Sequence, residues 1–158
     1  MAGSTAPLTL SAAEVSALQA ALAAEHAAVY GYGIAGAHLT GTALTAATRD
    51  WVAHQVARDA VESMLRSAGA TPVAAAVAYR LPHPVRSAAA ATSFAVILED
   101  RVTTAYLGLV AAASPGLRKF GGREVVAAAM RAASWRGRTV AFPGFPAGLL
   151  PARKAARR

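Results

Sequence analysis

The sequence predicts an all-α chain: a four-helix bundle made of two antiparallel hairpins joined by one long lengthwise crossover. Three observations carry this. Alanine fills 44 of the 158 positions and cysteine none, and alanine is the best helix former and is depleted from strands. Four long segments repeat apolar residues at the three-and-four spacing of one helix face. Between the second and third of them lies Gly69 to Arg86, 18 residues with three prolines.

Each element has its own signal. Ser11-Ala-Ala-Glu14 is a capping box, in which hydroxyl and carboxylate each satisfy a backbone N–H that has no helical partner, so helix 1 starts at Ser11. Its stripe reads Val15, Leu18, Leu22, Glu25, Val29, Tyr32, Gly36, and it stops near Thr40-Gly41. Helix 2, from Thr42 to Ala68, carries Leu44, Ala47, Trp51, His54, Arg58, Val61, Leu65 and Ala68 and ends at Gly69-Ala70-Thr71-Pro72. Helix 3, from Ser87 to Ala113, places Ala95, Glu99, Val102, Tyr106 and Leu109 on one line, and Ser114-Pro115-Gly116 breaks it. Helix 4 spans Pro115 to Arg136. A helix of about 27 residues is roughly 40 Å long. Eighteen extended residues reach about 59 Å, enough to travel the whole bundle.

The chain therefore divides into a flexible N-terminus (1–10), the bundle (11–138) and a C-terminal part (139–158). That last part holds a short docked segment around Phe142-Pro143-Gly144-Phe145 and then a basic tail.

Composition excludes several classes. With 55% apolar residues the chain is not disordered, and without cysteine it is no disulfide scaffold, zinc ribbon or thiol enzyme. The stretch Ser87 to Leu98 is too short to span a bilayer and runs into Glu99-Asp100-Arg101. Met1 to Pro7 has neither a basic nor an apolar leader region, so a cytoplasmic protein without membrane attachment is expected. The net charge of +8 and the Arg/Lys-rich end allow non-specific phosphate contact with nucleic acid. No recognition motif accompanies them.

Ionisable residues sit on the apolar lines: Glu25 on helix 1, His54 and Arg58 on helix 2, Glu99 on helix 3. The halves also repeat. Glu25 precedes Tyr32 by seven residues, and Glu99 precedes Tyr106 by seven. Arg58 follows Glu25 by 33 residues, and Arg131 follows Glu99 by 32. Two carboxylates converging in an apolar core each face a large desolvation penalty. Arg58 and Arg131 would cancel it without metal, because guanidinium forks match carboxylates. The expected buried cluster is thus Glu25, Arg58, Glu99 and Arg131, with His54, Tyr32 and Tyr106 hydrogen-bonded around it. Asp59 lies one position off the stripe, His26 turns about 100° away from Glu25, and His38 and His83 receive no role.

This pattern resembles the ferritin-like superfamily of di-iron and di-manganese carboxylate proteins. More narrowly, the runs AAEHAAVYGYG, GATP, LEDRVTTAY, RAASWR and AFPGFP resemble an actinobacterial ferritin-like domain family of unknown function. The superfamily resemblance implies metal held by a Glu from helices 1 and 3 and a Glu-x-x-His from helices 2 and 4. Glu25 and Glu99 fit, but neither Glu62 nor Glu124 has a histidine three residues on. A degenerate, metal-free site with a structural or partner-binding role is expected. The alternatives are an Fe or Mn oxidase or metal-binding protein using Glu25, Glu99 and His54, and a basic accessory protein contacting nucleic acid or the ribosome. A second line on helix 1, Ala24, Ala28, Gly31 and Ala35, implies close helix approach, either inside the bundle or at the seam of a homodimer.

Overall fold

The computed structural model describes residues 9–145; the N-terminal residues before Thr9 and the basic tail after Phe145 lie outside them. Among the described residues there are four α-helices and no strand: α1 (Ala12–Gly36), α2 (Gly41–Ser67), α3 (Ala88–Ala112) and α4 (Pro115–Arg136). The capping box at Ser11 is formed. Glu14 Oε2 accepts from the Ser11 N–H at 2.9 Å, while Glu14 Oε1 accepts from the Ser114 N–H at 2.8 Å. One carboxylate therefore ties the start of α1 to the residue before α4. Those N–H groups of Ser114 and Ser11 hold its pKa down at about 2. Ser87 caps α3, and Pro115 opens α4 at a position where a missing N–H is no loss.

α1 packs against α2 and against α3, and α3 packs against α4. Only residues 37–40 separate α1 from α2, and only residues 113–114 separate α3 from α4, so in these two pairs helices consecutive in sequence pack together. The arrangement is consistent with a four-helix bundle. No comparable packing joins α2 to α4. Those two meet through side chains, with the Trp135 indole donating to Asp50 Oδ2 at 2.9 Å.

The crossover follows α1. Gln19 donates to the Thr71 carbonyl and accepts from the Val73 N–H, both at 2.7 Å, as a neighbouring strand would. His26 Nε2 lies 3.1 Å from the Val73 carbonyl, and the Tyr79 ring meets Tyr30 at 5.2 Å between centroids. Successive crossover residues meet successive turns of α1, so the segment runs along that helix in the same direction.

The core falls into two apolar clusters. One holds Leu18, Leu22, Val61, Leu65, Val102 and Leu109; the other holds Ala35, Leu39, Ala47, Phe94, Ala95 and Leu98. Along α2 and α3 the residues between these clusters are His54 and Glu99, and on α1 Glu25 lies between Leu22 and Ala28 of the first; all three are fully buried. A Cβ at Gly31 would lie 2.6 Å from Leu98 Cδ1, and Ala28 and Ala35 are fully buried. At Gly31 the small-residue line of α1 is filled by α3 of the same chain, as its intramolecular reading expects.

α2 turns a slightly different face inward than its stripe predicts. Its buried residues are Ala47, Asp50, His54, Ala57, Val61 and Leu65. Trp51 and Arg58, each one position further along, face outward by about 100°; Trp51 is exposed and bonds the Val29 carbonyl at 3.1 Å.

Candidate functional site

Three helices bring their central ionisable residues to one point. His54 on α2 donates from Nδ1 to Glu25 Oε2 on α1 at 2.7 Å and from Nε2 to Glu99 Oε1 on α3 at 3.0 Å. With carboxylate acceptors on both sides, both ring nitrogens donate when the ring is an imidazolium, the state that its raised pKa favours at neutral pH. From α4, Arg131 Nε donates to the same Glu99 Oε1 at 3.0 Å. Tyr32 adds a third donor to that atom at 2.6 Å. Helical side chains lean toward the N-terminus, which lets a tyrosine one heptad beyond Glu25 reach back to the level of the carboxylates. The tyrosine ring also stacks on the imidazole, 5.3 Å between centroids.

The electrostatics follow from burial set against pairing. Burial alone would depress the His54 pKa, but hydrogen bonds and charge from Glu25 and Glu99 outweigh it and lift the ring to about 9. Burial raises the Glu99 carboxyl, yet His54 and then Arg131 and Tyr32 bring it below the ordinary value. Arg131 is likewise opposed by burial and held protonated by Glu99. Burial pushes both tyrosine hydroxyls up, reinforced by Glu99 at Tyr32 and by Glu25 at Tyr106. Two glutamates against one imidazolium and one guanidinium leave the layer neutral. Three buried polar atoms in it make no hydrogen bond: Glu25 Oε1, Glu99 Oε2 and the Tyr106 hydroxyl.

Of the residues singled out in the sequence, the structure assembles Glu25, His54, Glu99, Arg131 and Tyr32 by direct hydrogen bonds, with Tyr106 beside Glu25. Arg58 is not among them and is a correction. Its guanidinium pairs with the adjacent Asp59 at 2.8 Å on the surface, because Ala57 occupies the inward position. The cation expected from Arg58 is supplied by His54. His26 bonds the crossover, as its position away from Glu25 implies.

Two acidic residues were not anticipated. Asp50, one turn before His54, is 1% exposed and accepts from Trp135 and from Arg49. Glu124 on α4 is raised by burial and then by the charge of Glu25. The signal for Asp50 was its i, i+4 spacing from His54; an apolar neighbour, Trp51, masked it.

A di-metal centre does not fit this set. No group of three or more His, Asp or Glu could hold a metal among the described residues. Each glutamate has one oxygen committed to His54, so a metal would have to displace both hydrogen bonds of the imidazole and its extra proton. That leaves one free oxygen per glutamate, short of the shell such ions require.

Among the described residues no helix is long and apolar enough to cross a membrane. The basic tail that carries the nucleic-acid reading lies outside them. No curated protein matches the chain. It is similar to a conserved hypothetical protein, Rv2844, from Mycobacterium tuberculosis, known from a crystal structure. The two share 35% identity over 82% of this chain and 98% of that one, with a TM-score of 0.78. Residues 17–147 match the model of a domain of unknown function, DUF4439. The chain belongs to that family.

Proposed function

We propose that this chain is a ferritin-like bundle whose buried ionic layer, Glu25, His54, Glu99 and Arg131, stands where that superfamily holds two metal ions. On this reading the protein is a non-catalytic structural or partner-binding module. The observation that carries it is His54 lying between both glutamates with both nitrogens engaged. A cation of fixed geometry there offsets the desolvation of the two carboxylates, as a metal would, while offering no open coordination site and no redox couple. Neither superfamily Glu-x-x-His is present on α2 or α4. Exposed Val52 and Val56 on α2 and Val126 and Met130 on α4 support contact with a second copy or another protein.

The test is elemental analysis of protein purified without chelator, as isolated and after anaerobic Fe(II) or Mn(II) loading. The expected result is no stoichiometric metal in either state. About one or two ions per chain, lost on Glu25→Ala or Glu99→Ala, would overturn the reading and favour the oxidase or metal-binding alternative. Sedimentation velocity on the same samples reports whether the partner is a second copy.

A further inference from the structure

A second site lies away from the ionic layer, on the outer face of α3. There the chain beyond α4 doubles back as a strap. Gly144 adopts a left-handed backbone with φ of 79°, and a Cβ on it would lie 2.7 Å from Thr103 Cγ2 and 2.9 Å from Leu107 Cδ1. The Thr104 hydroxyl donates to its carbonyl at 2.7 Å. Only glycine fits so close to a helix in that conformation, so the strap is pinned at one residue. Phe142 and Phe145, on either side of the pin, remain 54% and 51% exposed.

Between strap and helix is a cavity of about 490 Å³. Ile97, Phe142 and Phe145 give it apolar walls, and Asp100, Arg101 and Arg136 bring charge to it. Arg136 donates to Asp100 at 2.6 Å, while Arg101 has no acidic partner among the described residues. Two guanidiniums against one carboxylate leave one unit of positive charge beside two half-open aromatic rings. Small-molecule sites combine a concave apolar body of this size with a few polar groups that orient the ligand.

We propose that this cavity binds a small amphipathic carboxylate, its apolar body between the phenylalanine rings and its carboxylate on Arg101. Charge selects the class: a neutral apolar molecule gains nothing from Arg101, and a bare inorganic anion gains nothing from the rings. A guanidinium matches a carboxylate bidentately. The Asp100–Arg136 pair closes one side of the site and keeps its net charge at a single positive unit, which favours a monoanion.

The test uses the full chain and two probes that differ only at the head group, 4-phenylbutyrate and 4-phenylbutan-1-ol, titrated by calorimetry at low ionic strength. The acid is expected to bind about tenfold tighter than the alcohol, with the difference shrinking as salt is added. Arg101→Gln should abolish that preference and leave the alcohol's affinity unchanged. Asp100→Asn, which adds net positive charge, should widen it. Opposite responses from two surface substitutions would not come from a general loosening of the fold, and circular dichroism checks that both variants are folded. Equal affinity for acid and alcohol, an unchanged preference in Arg101→Gln, or no binding of either probe would each overturn the proposal. None of these measurements touches the buried layer, so this site and the metal-free reading stand or fall separately.

Discussion

Tyr32 on α1 donates a hydrogen bond from its hydroxyl to Glu99 Oε1 on α3 at 2.6 Å, so the tyrosine of the first half serves the glutamate of the second. Tyr106 stands in the reciprocal place beside Glu25, but its buried hydroxyl makes no hydrogen bond of ordinary geometry, only a looser contact with that carboxylate. The two tyrosines are alike in burial and unlike in satisfaction, and stability should distinguish them. Tyr32→Phe removes a charge-assisted bond and should cost about 1.5–3 kcal/mol. Tyr106→Phe removes only a looser contact with Glu25 and should cost less than Tyr32→Phe. Urea unfolding of both variants measures this, and a larger loss at Tyr106 than at Tyr32 would contradict the assignment.

The three basic side chains should rank by partner rather than by type. His54→Ala strands two buried carboxylates and should cost about 3–5 kcal/mol. Arg131→Ala leaves Glu99 with His54 and Tyr32 and should cost less than His54→Ala. Arg58→Ala breaks only a surface pair and should stay within about 1 kcal/mol. Replacing Glu25 and His54 together with Met and Leu should cost less than the two single changes combined, since the double change removes both charges. Strict additivity of the two would mean that they are not paired.

Acidity follows from the same geometry. The folded His54 pKa of about 9 lies above its ordinary value of 6.5, so the folded state holds this proton more tightly than the unfolded one. The stabilisation is complete below pH 6.5 and is lost as pH rises through 9, an effect of roughly 3 kcal/mol. The urea midpoint should fall across that window and stay flatter in His54→Gln. Glu14 acts with the opposite sign. Its pKa is depressed from 4.5 to about 2, so its contribution is present above pH 4.5 and disappears as pH drops toward 2. Glu14→Gln should flatten that acid limb.

Two glycines of α1 should respond in opposite directions. A methyl group at Gly31 meets Leu98, and Gly31→Ala should cost about 1–3 kcal/mol through the repacking it forces. Gly33 has open space around it, so Gly33→Ala should stabilise by about 0.5–1 kcal/mol through helix propensity. Thermal melts of the pair separate packing from propensity within a single turn.

How much of this was legible in the sequence depended on the helix. On α1 and α3 the inward line contains Leu18, Leu22, Glu25, Tyr32 and Ala95, Glu99, Val102, Tyr106, so the charged positions are flanked by unmistakable core residues and read correctly. On α2 the line is alanine-rich, and hydrophobicity pulls the register toward Trp51 and away from Asp50. That single step of about 100° also substitutes Arg58 for Ala57. A buried aspartate held by an indole from α4 is a tertiary fact, since its partner lies 85 residues away. The crossover's length was readable, but its clamp by Gln19 was not, because a glutamine that mimics a strand's backbone has no periodic signature.

The crossed tyrosine–glutamate pairing also has a consequence for symmetry. A shift of 74 positions carries Glu25 to Glu99, Tyr32 to Tyr106 and Asp50 to Glu124. The same shift exchanges the acids acting on the two tyrosines: Glu99 and Asp50 at Tyr32, Glu25 and Glu124 at Tyr106. It fails at the centre, where His54 maps to fully buried Ala128 and Arg131 maps to Ala57. One imidazole bonds both related carboxylates, and the equivalent position on α4 is the small, fully buried Ala128. Two identical hairpins could not build this layer. Sharing one histidine between two glutamates requires that the halves differ, and a single continuous chain guarantees that ratio.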